Sequence, residues 1–147
     1  MACIIRHTGL VVNDIDQSIE FYEDVFGFKL LKRMVDGSGY IQKLTGVSGA
    51  IVEWAKLTDG GSGVLELLEY KKPHQKKVDI IYDADMHGCS HIAITVESID
   101  QVYHALTDRG LFCNSKPLVS PDGKVKVMYV RDYDGIIIEL VEEISCL

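Results

Sequence analysis

Hydrophobic and polar positions along the chain predict a strand, then a helix, then three more strands in the first half. Apolar residues concentrated at 4–12 predict the first strand. Apolar residues three or four apart then predict a helix that Asp14 or Asp16 can cap and that Gly27 ends. The helix positions are Ile15, Ile19, Tyr22 and Phe26. The three later strands are predicted at 28–35, 50–57 and 64–70.

The second half predicts the same order of elements. Its first strand is predicted at 89–96. Its helix is predicted to be capped by Ser98 and to end at Gly110. Further strands are predicted at 111–114, 124–130 and 136–142. A half of this size leaves one sheet face apolar, so the two halves should pack into one domain. We therefore predict a first βαβββ module at 1–72, a polar linker at 73–88 and a second module at 89–147.

The two halves also repeat particular residues. His7 opens the stretch His-Thr-Gly-Leu-Val-Val-Asn-Asp-Ile-Asp-Gln, and His91 opens His-Ile-Ala-Ile-Thr-Val-Glu-Ser-Ile-Asp-Gln. The module ends correspond as well, since Leu65-Glu66-Leu67-Leu68-Glu69 aligns with Ile138-Glu139-Leu140-Val141-Glu142. An internal duplication of this kind predicts two related half-modules, each supplying one histidine and one glutamate.

These four residues have the chemistry of a metal site. Glu66 and Glu139 fall within strands that look apolar on both faces, where an unpaired carboxylate is very unfavourable. A bound divalent cation would pair the charge of such a carboxylate, and imidazole is a common second ligand of such an ion. A lone strand histidine or glutamate is more often a hydrogen-bonded or salt-bridged core residue, but the matching positions of two such pairs favour the metal. We predict that His7, Glu66, His91 and Glu139 bind one divalent ion, either Zn, Ni, Co, Mn or Fe(II). Four protein ligands leave two octahedral positions for water or substrate, which is typical of a catalytic site.

Composition and charge limit the kinds of molecule that the chain is expected to bind. The chain has 147 residues, 47% of them hydrophobic, and a formal net charge of −7, which disfavours nucleic acid. No apolar run reaches the roughly 20 residues of a membrane span, and the N-terminus shows no export signal. The four cysteines form no Cys-x-x-Cys pair. We expect a cytoplasmic protein without a membrane or nucleic-acid partner.

The chain resembles the vicinal oxygen chelate superfamily, which contains glyoxalases, bleomycin-resistance proteins and dioxygenases. The resemblance runs from His7 to Glu142 and is carried by a few short segments. They are Ile19-Glu20-Phe21-Tyr22, Phe26-Gly27-Phe28, Leu65-Glu66-Leu67, Ser90-His91-Ile92-Ala93 and Asp132-Tyr133-Asp134-Gly135 leading into Ile138-Glu139-Leu140. It implies an α+β fold of two βαβββ modules that form a half-open mixed β-barrel around a metal, often in a homodimer. Whether one chain or two chains complete the site is left open by the sequence.

Within that superfamily, the order His, Glu, His, Glu is similar to the metal set of bacterial glyoxalase I, or lactoylglutathione lyase. The resemblance implies that His7, Glu66, His91 and Glu139 are ligands, that Glu139 is the favoured base and that Glu66 is a possible second base. The implied reaction is proton abstraction next to a carbonyl, with a metal-stabilised enediolate intermediate. The implied substrate is a small molecule with vicinal oxygens, such as a glutathione or coenzyme A conjugate.

Alternative functions follow from departures within the same resemblance. Glyoxalase I usually has an Asn-Trp-Gly-like segment after its first glutamate ligand, whereas this chain reads Leu-Leu-Glu-Tyr-Lys-Lys-Pro from Leu67 to Pro73. That segment is more similar to methylmalonyl-CoA epimerase, which usually has Gln in place of Glu66. A non-haem iron dioxygenase is a further alternative, although Glu66 would fill a position that such enzymes leave free. The intact ligand set argues against a drug-binding resistance protein, and no phosphonate-binding signature supports a fosfomycin-type thiol transferase.

Overall fold

The computed structural model describes residues 3–74 and 83–144. The chain divides into two compact units, Met1–Val78 and Asp79–Leu147. Part of the predicted linker, residues 75–82, lies outside the described residues. The predicted module limits 1–72 and 89–147 stay predictions.

The first unit is a four-stranded mixed sheet with two helices. The strand order is β1-β4-β3-β2, with β1 parallel to β4 and the other pairs antiparallel. The elements are β1 (Thr8–Val11), α1 (Ile15–Phe26), β2 (Lys29–Asp36), α2 (Gly39–Thr45), β3 (Ile51–Thr58) and β4 (Val64–Lys72). A parallel β1–β4 pair brings the start of the module next to its last strand, which is what places His7 near Glu66.

The second unit repeats this topology with one helix. Its strand order is β5-β8-β7-β6, again with the first and last strands of the unit parallel. The elements are β5 (Ile92–Thr95), α3 (Ile99–Asp108), β6 (Leu118–Val119), β7 (Val125–Arg131) and β8 (Ile137–Glu143). The predicted α+β class and the duplicated βαβββ order are confirmed. Each of the two described sheets is open.

Two predicted strands differ from the structure, and one helix was not predicted. The first strand is Thr8–Val11 rather than 4–12, because β4 begins at Val64 and leaves residues 4–6 without a neighbouring strand. The helix α2 was missed because only Ile41 of its seven residues is buried, which is too little for an amphipathic pattern. The strand predicted at 111–114 is reduced to one bridge between Cys113 and Val130, and the edge strand β6 follows later.

One face of each sheet packs against the long helix of its unit. In the first unit, the buried residues Ala55, Leu57, Leu65 and Leu67 alternate with the residues of the other face. In the second unit, the equivalent buried set is Met128, Val130, Ile138 and Leu140. The side chains on the other face of each sheet include Glu66 and Glu139. No helix within residues 3–74 or 83–144 has the length and apolar character needed to cross a bilayer.

Local capping explains where the helices begin. The Asp14 carboxylate accepts a hydrogen bond from the Gln17 N–H at 3.0 Å, and the Ser98 hydroxyl accepts one from the Gln101 N–H at 3.4 Å. Of the two predicted candidates for the first cap, Asp14 is therefore the residue used, and the Ser98 cap is confirmed. Gly27 ends α1 at φ 73°, a left-handed conformation that favours glycine.

Candidate metal centre

The first histidine–glutamate pair forms inside the first unit. His7 directly precedes β1, and Glu66 lies on the parallel strand β4. The His7 Nε2 atom is 2.9 Å from the Glu66 Oε2 atom. The His7 Nδ1 atom is buried and has no hydrogen-bond partner among the described residues.

The second pair repeats this arrangement inside the second unit. His91 directly precedes β5, and Glu139 lies on β8, with 3.1 Å between His91 Nε2 and Glu139 Oε2. The Ser90 hydroxyl is 2.7 Å from the His91 Nδ1 atom. The Tyr129 ring packs against the imidazole, with 5.1 Å between the ring centroids. Ser90 and Tyr129 therefore fix the orientation of the second imidazole, a role that sequence reasoning did not assign to them.

Both pairs fit a metal by donor type and by spacing. Two neighbouring ligands at about 2.1 Å from an octahedral ion are about 3.0 Å apart, close to the separations observed in both pairs. Within the described residues of either unit, no group of three or more His, Cys, Asp or Glu side chains is placed to hold a metal. Each unit by itself thus brings together two of the four predicted ligands, and the four-ligand site remains a prediction.

The two carboxylates are less buried than the sequence predicts. The Glu66 side chain is 16% exposed and the Glu139 side chain 24% exposed. The expectation that both faces of these strands are buried holds only in part. The long helix of each unit covers the opposite face, and on the Glu66 face the short helix α2 packs near Leu68. Val64, Leu68 and Val141, which share the glutamate faces, are likewise only half-buried, whereas Ile137 on the Glu139 face is buried. A partly exposed carboxylate remains accessible to an ion or a small molecule.

The surroundings of the two glutamates differ. The residue directly across from Glu66 on the neighbouring strand is Lys56, whose Nζ atom is 3.5 Å from Glu66 Oε1. The residue directly across from Glu139 is Tyr129. Both Glu66 oxygens thus have partners, whereas among the described residues only one oxygen of Glu139 has an ion-pair partner, His91. This asymmetry depends on strand register, and the sequence alone did not reveal it.

A separate ionic network lies on the side of the first sheet that α1 covers. Glu53 contacts Arg33 Nε at 2.7 Å and Lys71 Nζ at 2.9 Å, and Lys71 also contacts Glu69 at 2.6 Å. The hydrogen bond from Arg33 lowers the pKa of the Glu53 carboxyl, and Lys71 lowers it further. Because residues alternate along β3, Glu53 faces away from Glu66, and its charge is already paired.

Comparison with known proteins assigns the family. The family model described as the Glyoxalase/Bleomycin resistance protein/Dioxygenase superfamily matches residues 4–140. The chain belongs to this superfamily. The resemblance to vicinal oxygen chelate proteins is thereby confirmed.

Several individual proteins are similar to this chain. A probable lactoylglutathione lyase of Synechocystis is 31% identical over 96% of this chain and 96% of its own length. Lactoylglutathione lyase of Schizosaccharomyces pombe is 30% identical over 95% of this chain, which spans only 47% of that relative. A 2-epi-5-epi-valiolone epimerase of Actinomyces is 32% identical over 67% of this chain and 55% of its own length. A solved glyoxalase family protein of Bacillus cereus is similar with a TM-score of 0.90 and 25% identity, covering 99% of this chain and 97% of that one.

Proposed function

We propose that the chain is a metal-dependent lyase or isomerase of the glyoxalase I type, which removes a proton next to a carbonyl. The observation that carries the proposal is the repeated histidine–glutamate pair, one in each unit at equivalent positions. Superfamily membership and relatives named lactoylglutathione lyase support the same reaction class. The substrate proposed is a small molecule with vicinal oxygens, such as a glutathione or coenzyme A conjugate, and the proposed assembly is a homodimer.

His7, Glu66, His91 and Glu139 are the proposed ligands of one divalent ion, with Ni, Zn, Co, Mn and Fe as candidates. When bound, such an ion supplies Lewis-acid stabilisation of the negative charge that develops on two neighbouring substrate oxygens. The Ser90 hydroxyl and the Tyr129 ring hold the His91 imidazole in one orientation. Tyr129 also lines a cleft of about 380 Å³ in the second unit, whose wall includes Leu118 and Val127 and offers room for an apolar part of a substrate.

Glu139 is the proposed base. Lys56 and His7 engage both oxygens of Glu66, whereas Glu139 has one oxygen without an ion-pair partner among the described residues. That oxygen can accept the proton from the carbon next to the carbonyl and return it to the neighbouring carbon. Glu66 remains the second candidate for this role.

Replacement of the base tests this assignment. We expect Glu139→Gln to lower turnover of the methylglyoxal–glutathione adduct by about 10²- to 10⁴-fold, because amide nitrogen and oxygen do not accept the proton. Activity is measured after metal-free protein is reloaded with each candidate ion in turn, and metal content is measured on the same samples. The exposed Glu143, at the end of the same strand, provides the control variant Glu143→Gln. Near-normal turnover in Glu139→Gln would assign the base to another residue.

An epimerase is the second candidate, and the similarity to a 2-epi-5-epi-valiolone epimerase favours it. In that case the proton returns to the opposite face of the same carbon, and the same carboxylates are used. Incubation of candidate acyl-coenzyme A and sugar-derived ketone substrates in deuterated water distinguishes the two. Deuterium at the carbon next to the carbonyl with inverted configuration supports the epimerase, and isomerised product supports the lyase. Oxygen uptake would instead indicate the dioxygenase alternative.

A further inference from the structure

The sheet face that carries Glu66 also carries two lysines and a tryptophan. Lys32 on β2 lies directly across from Lys56 on β3, and Lys56 lies directly across from Glu66 on β4. Trp54 is two residues from Lys56 on the same strand and therefore shares its face. The three side chains Lys32, Trp54 and Lys56, named here the lysine–tryptophan cluster, adjoin the proposed metal ligand without belonging to the ligand set.

Both ammonium groups converge on one indole ring. The Lys32 Nζ atom is 5.6 Å and the Lys56 Nζ atom 5.4 Å from the ring centroid of Trp54. Two like charges directly opposite each other on neighbouring strands destabilise a sheet. Cation–π attraction to the ring offsets part of that repulsion but cannot neutralise either charge.

Among the described residues, only one carboxylate, that of Glu66, pairs with either of the two lysines Lys32 and Lys56. Among the described residues Lys32 has no carboxylate partner, and Lys56 is paired only with Glu66, at 3.5 Å. If Glu66 binds a cation, as the proposed function requires, its charge is shared with that ion and Lys56 loses most of its counter-charge. The face then carries two ammonium groups beside a divalent ion, in a chain whose formal net charge is −7. A local concentration of positive charge of this kind attracts an anion.

We propose that Lys32 and Lys56 bind an acidic group of the substrate, a carboxylate or a phosphate, while Trp54 supports the neighbouring part of the molecule. The two lysines lie one and two strand spacings from Glu66, at about 4.8 Å per spacing. The acidic group therefore lies a few bonds from the carbonyl that reacts. The substrate class is an anionic carbonyl compound whose acid function is close to its vicinal oxygens. This inference rests on the proposed function for the identity of the reacting group, but the anion site itself can be measured without turnover.

Trp54 makes the test direct, because it is the only tryptophan of the chain. Its fluorescence reports binding at the lysine–tryptophan cluster in full-length protein, measured both metal-free and loaded with a divalent ion. The probes are malonate and inorganic phosphate at constant ionic strength, with neutral malonamide as the uncharged analogue of malonate. We expect a saturable change with the anions and no change with malonamide. A preference for malonate assigns a carboxylate, and a preference for phosphate assigns a phosphate.

Substitutions identify the groups responsible. Lys32→Gln and Lys56→Gln each remove one charge-assisted contact, so each should raise the midpoint of the titration about tenfold. Lys43→Gln, on the exposed side of α2, is the matched control and should leave the midpoint unchanged. Lys32→Arg, which keeps the charge, should restore most of the binding. Circular dichroism verifies that each variant is folded.

The outcomes separate this inference from the proposed function. An unchanged midpoint in both Lys32→Gln and Lys56→Gln, or no response to either anion in the metal-free and in the metal-loaded protein, overturns the anion site. Metal binding is measured separately by calorimetry in the absence of anions. Anion binding in a protein that takes up no metal supports the lysine–tryptophan cluster and removes the proposed enzyme function. Metal uptake and turnover without an anion response support the proposed enzyme function and overturn the anion site.

Discussion

The two histidines occupy equivalent positions but have different second partners. The His91 Nδ1 atom contacts the Ser90 hydroxyl, whereas the buried Nδ1 atom of His7 has no partner among the described residues. The residue that corresponds to Ser90 in the first unit is Arg6, whose side chain is exposed. A group that holds the far nitrogen of a metal-binding imidazole fixes both its tautomer and its orientation. The second pair should therefore be the better ordered of the two.

Removal of the Ser90 hydroxyl tests this difference at the residue scale. Ser90→Ala should weaken divalent-metal binding by about 10- to 100-fold, since His91 would lose its orienting partner. Arg6→Ala, at the equivalent position, is the control and should have little effect. The dissociation constant of cobalt, followed by its visible absorbance, provides the measurement. Equal affinities in wild type and Ser90→Ala would show that the hydroxyl does not support a ligand.

Sequence reasoning at this scale found the pairs but not their surroundings. The repeat alone singled out the four side chains that the structure joins two by two, His7 with Glu66 and His91 with Glu139. It could not find Lys56 or Tyr129, because their places across from the glutamates depend on strand register. Register follows from turn lengths and bulges, such as the irregularity between Leu30 and Lys32, which no local pattern encodes.

At the scale of elements, each long helix is joined to the last strand of its unit in the same way. The Ile15 N–H at the start of α1 donates to the Glu69 carboxylate at 3.0 Å, and the Ile99 N–H at the start of α3 donates to the Glu142 carboxylate at 2.7 Å. A carboxylate there satisfies a free helix N–H and interacts favourably with the helix dipole. Each of these glutamates lies three residues after a proposed metal ligand, so the helix and the ligand strand are held together in both units.

Loss of this contact should lower stability without removing a ligand. Glu142→Ala should reduce the free energy of unfolding by about 1 kcal/mol, a usual value for loss of a helix N-terminal partner. Urea denaturation followed by circular dichroism measures the change. Glu143→Ala, the adjacent exposed residue on β8, is the control and should have a much smaller effect. If the two variants are equally stable, the contact with Ile99 does not contribute to stability.

Sequence patterns predict the helices and strands that bury many side chains better than the short ones. The amphipathic helices α1 and α3 were predicted with their caps, because burial of one face imposes a helical spacing on apolar residues. The short helix α2 and the two-residue strand β6 were not, since neither buries enough side chains to impose a pattern. Ile4 and Ile5 misled the prediction of β1, as both are more than 90% exposed and have no strand beside them.

The whole molecule consists of two duplicated units that have diverged around their glutamates. Both units keep the sheet topology, the helix contact and the histidine–glutamate pair. They differ in what adjoins the glutamate, a pair of lysines around Trp54 in the first unit and Tyr129 in the second. We infer that the shared parts hold the metal and that the differing parts distinguish the two ends of the substrate.

Calorimetry on metal-free protein measures the stoichiometry of metal binding, and that number shows whether the two histidine–glutamate pairs form one site. A single site built from both pairs predicts one divalent ion per chain and loss of tight binding in His7→Ala and in His91→Ala alike. His104→Ala, an exposed histidine on α3, should bind metal as the wild type does. Two ions per chain, with each variant losing only one of them, would mean that the pairs act independently. That result, or unchanged tight binding in either His7→Ala or His91→Ala, would contradict the account.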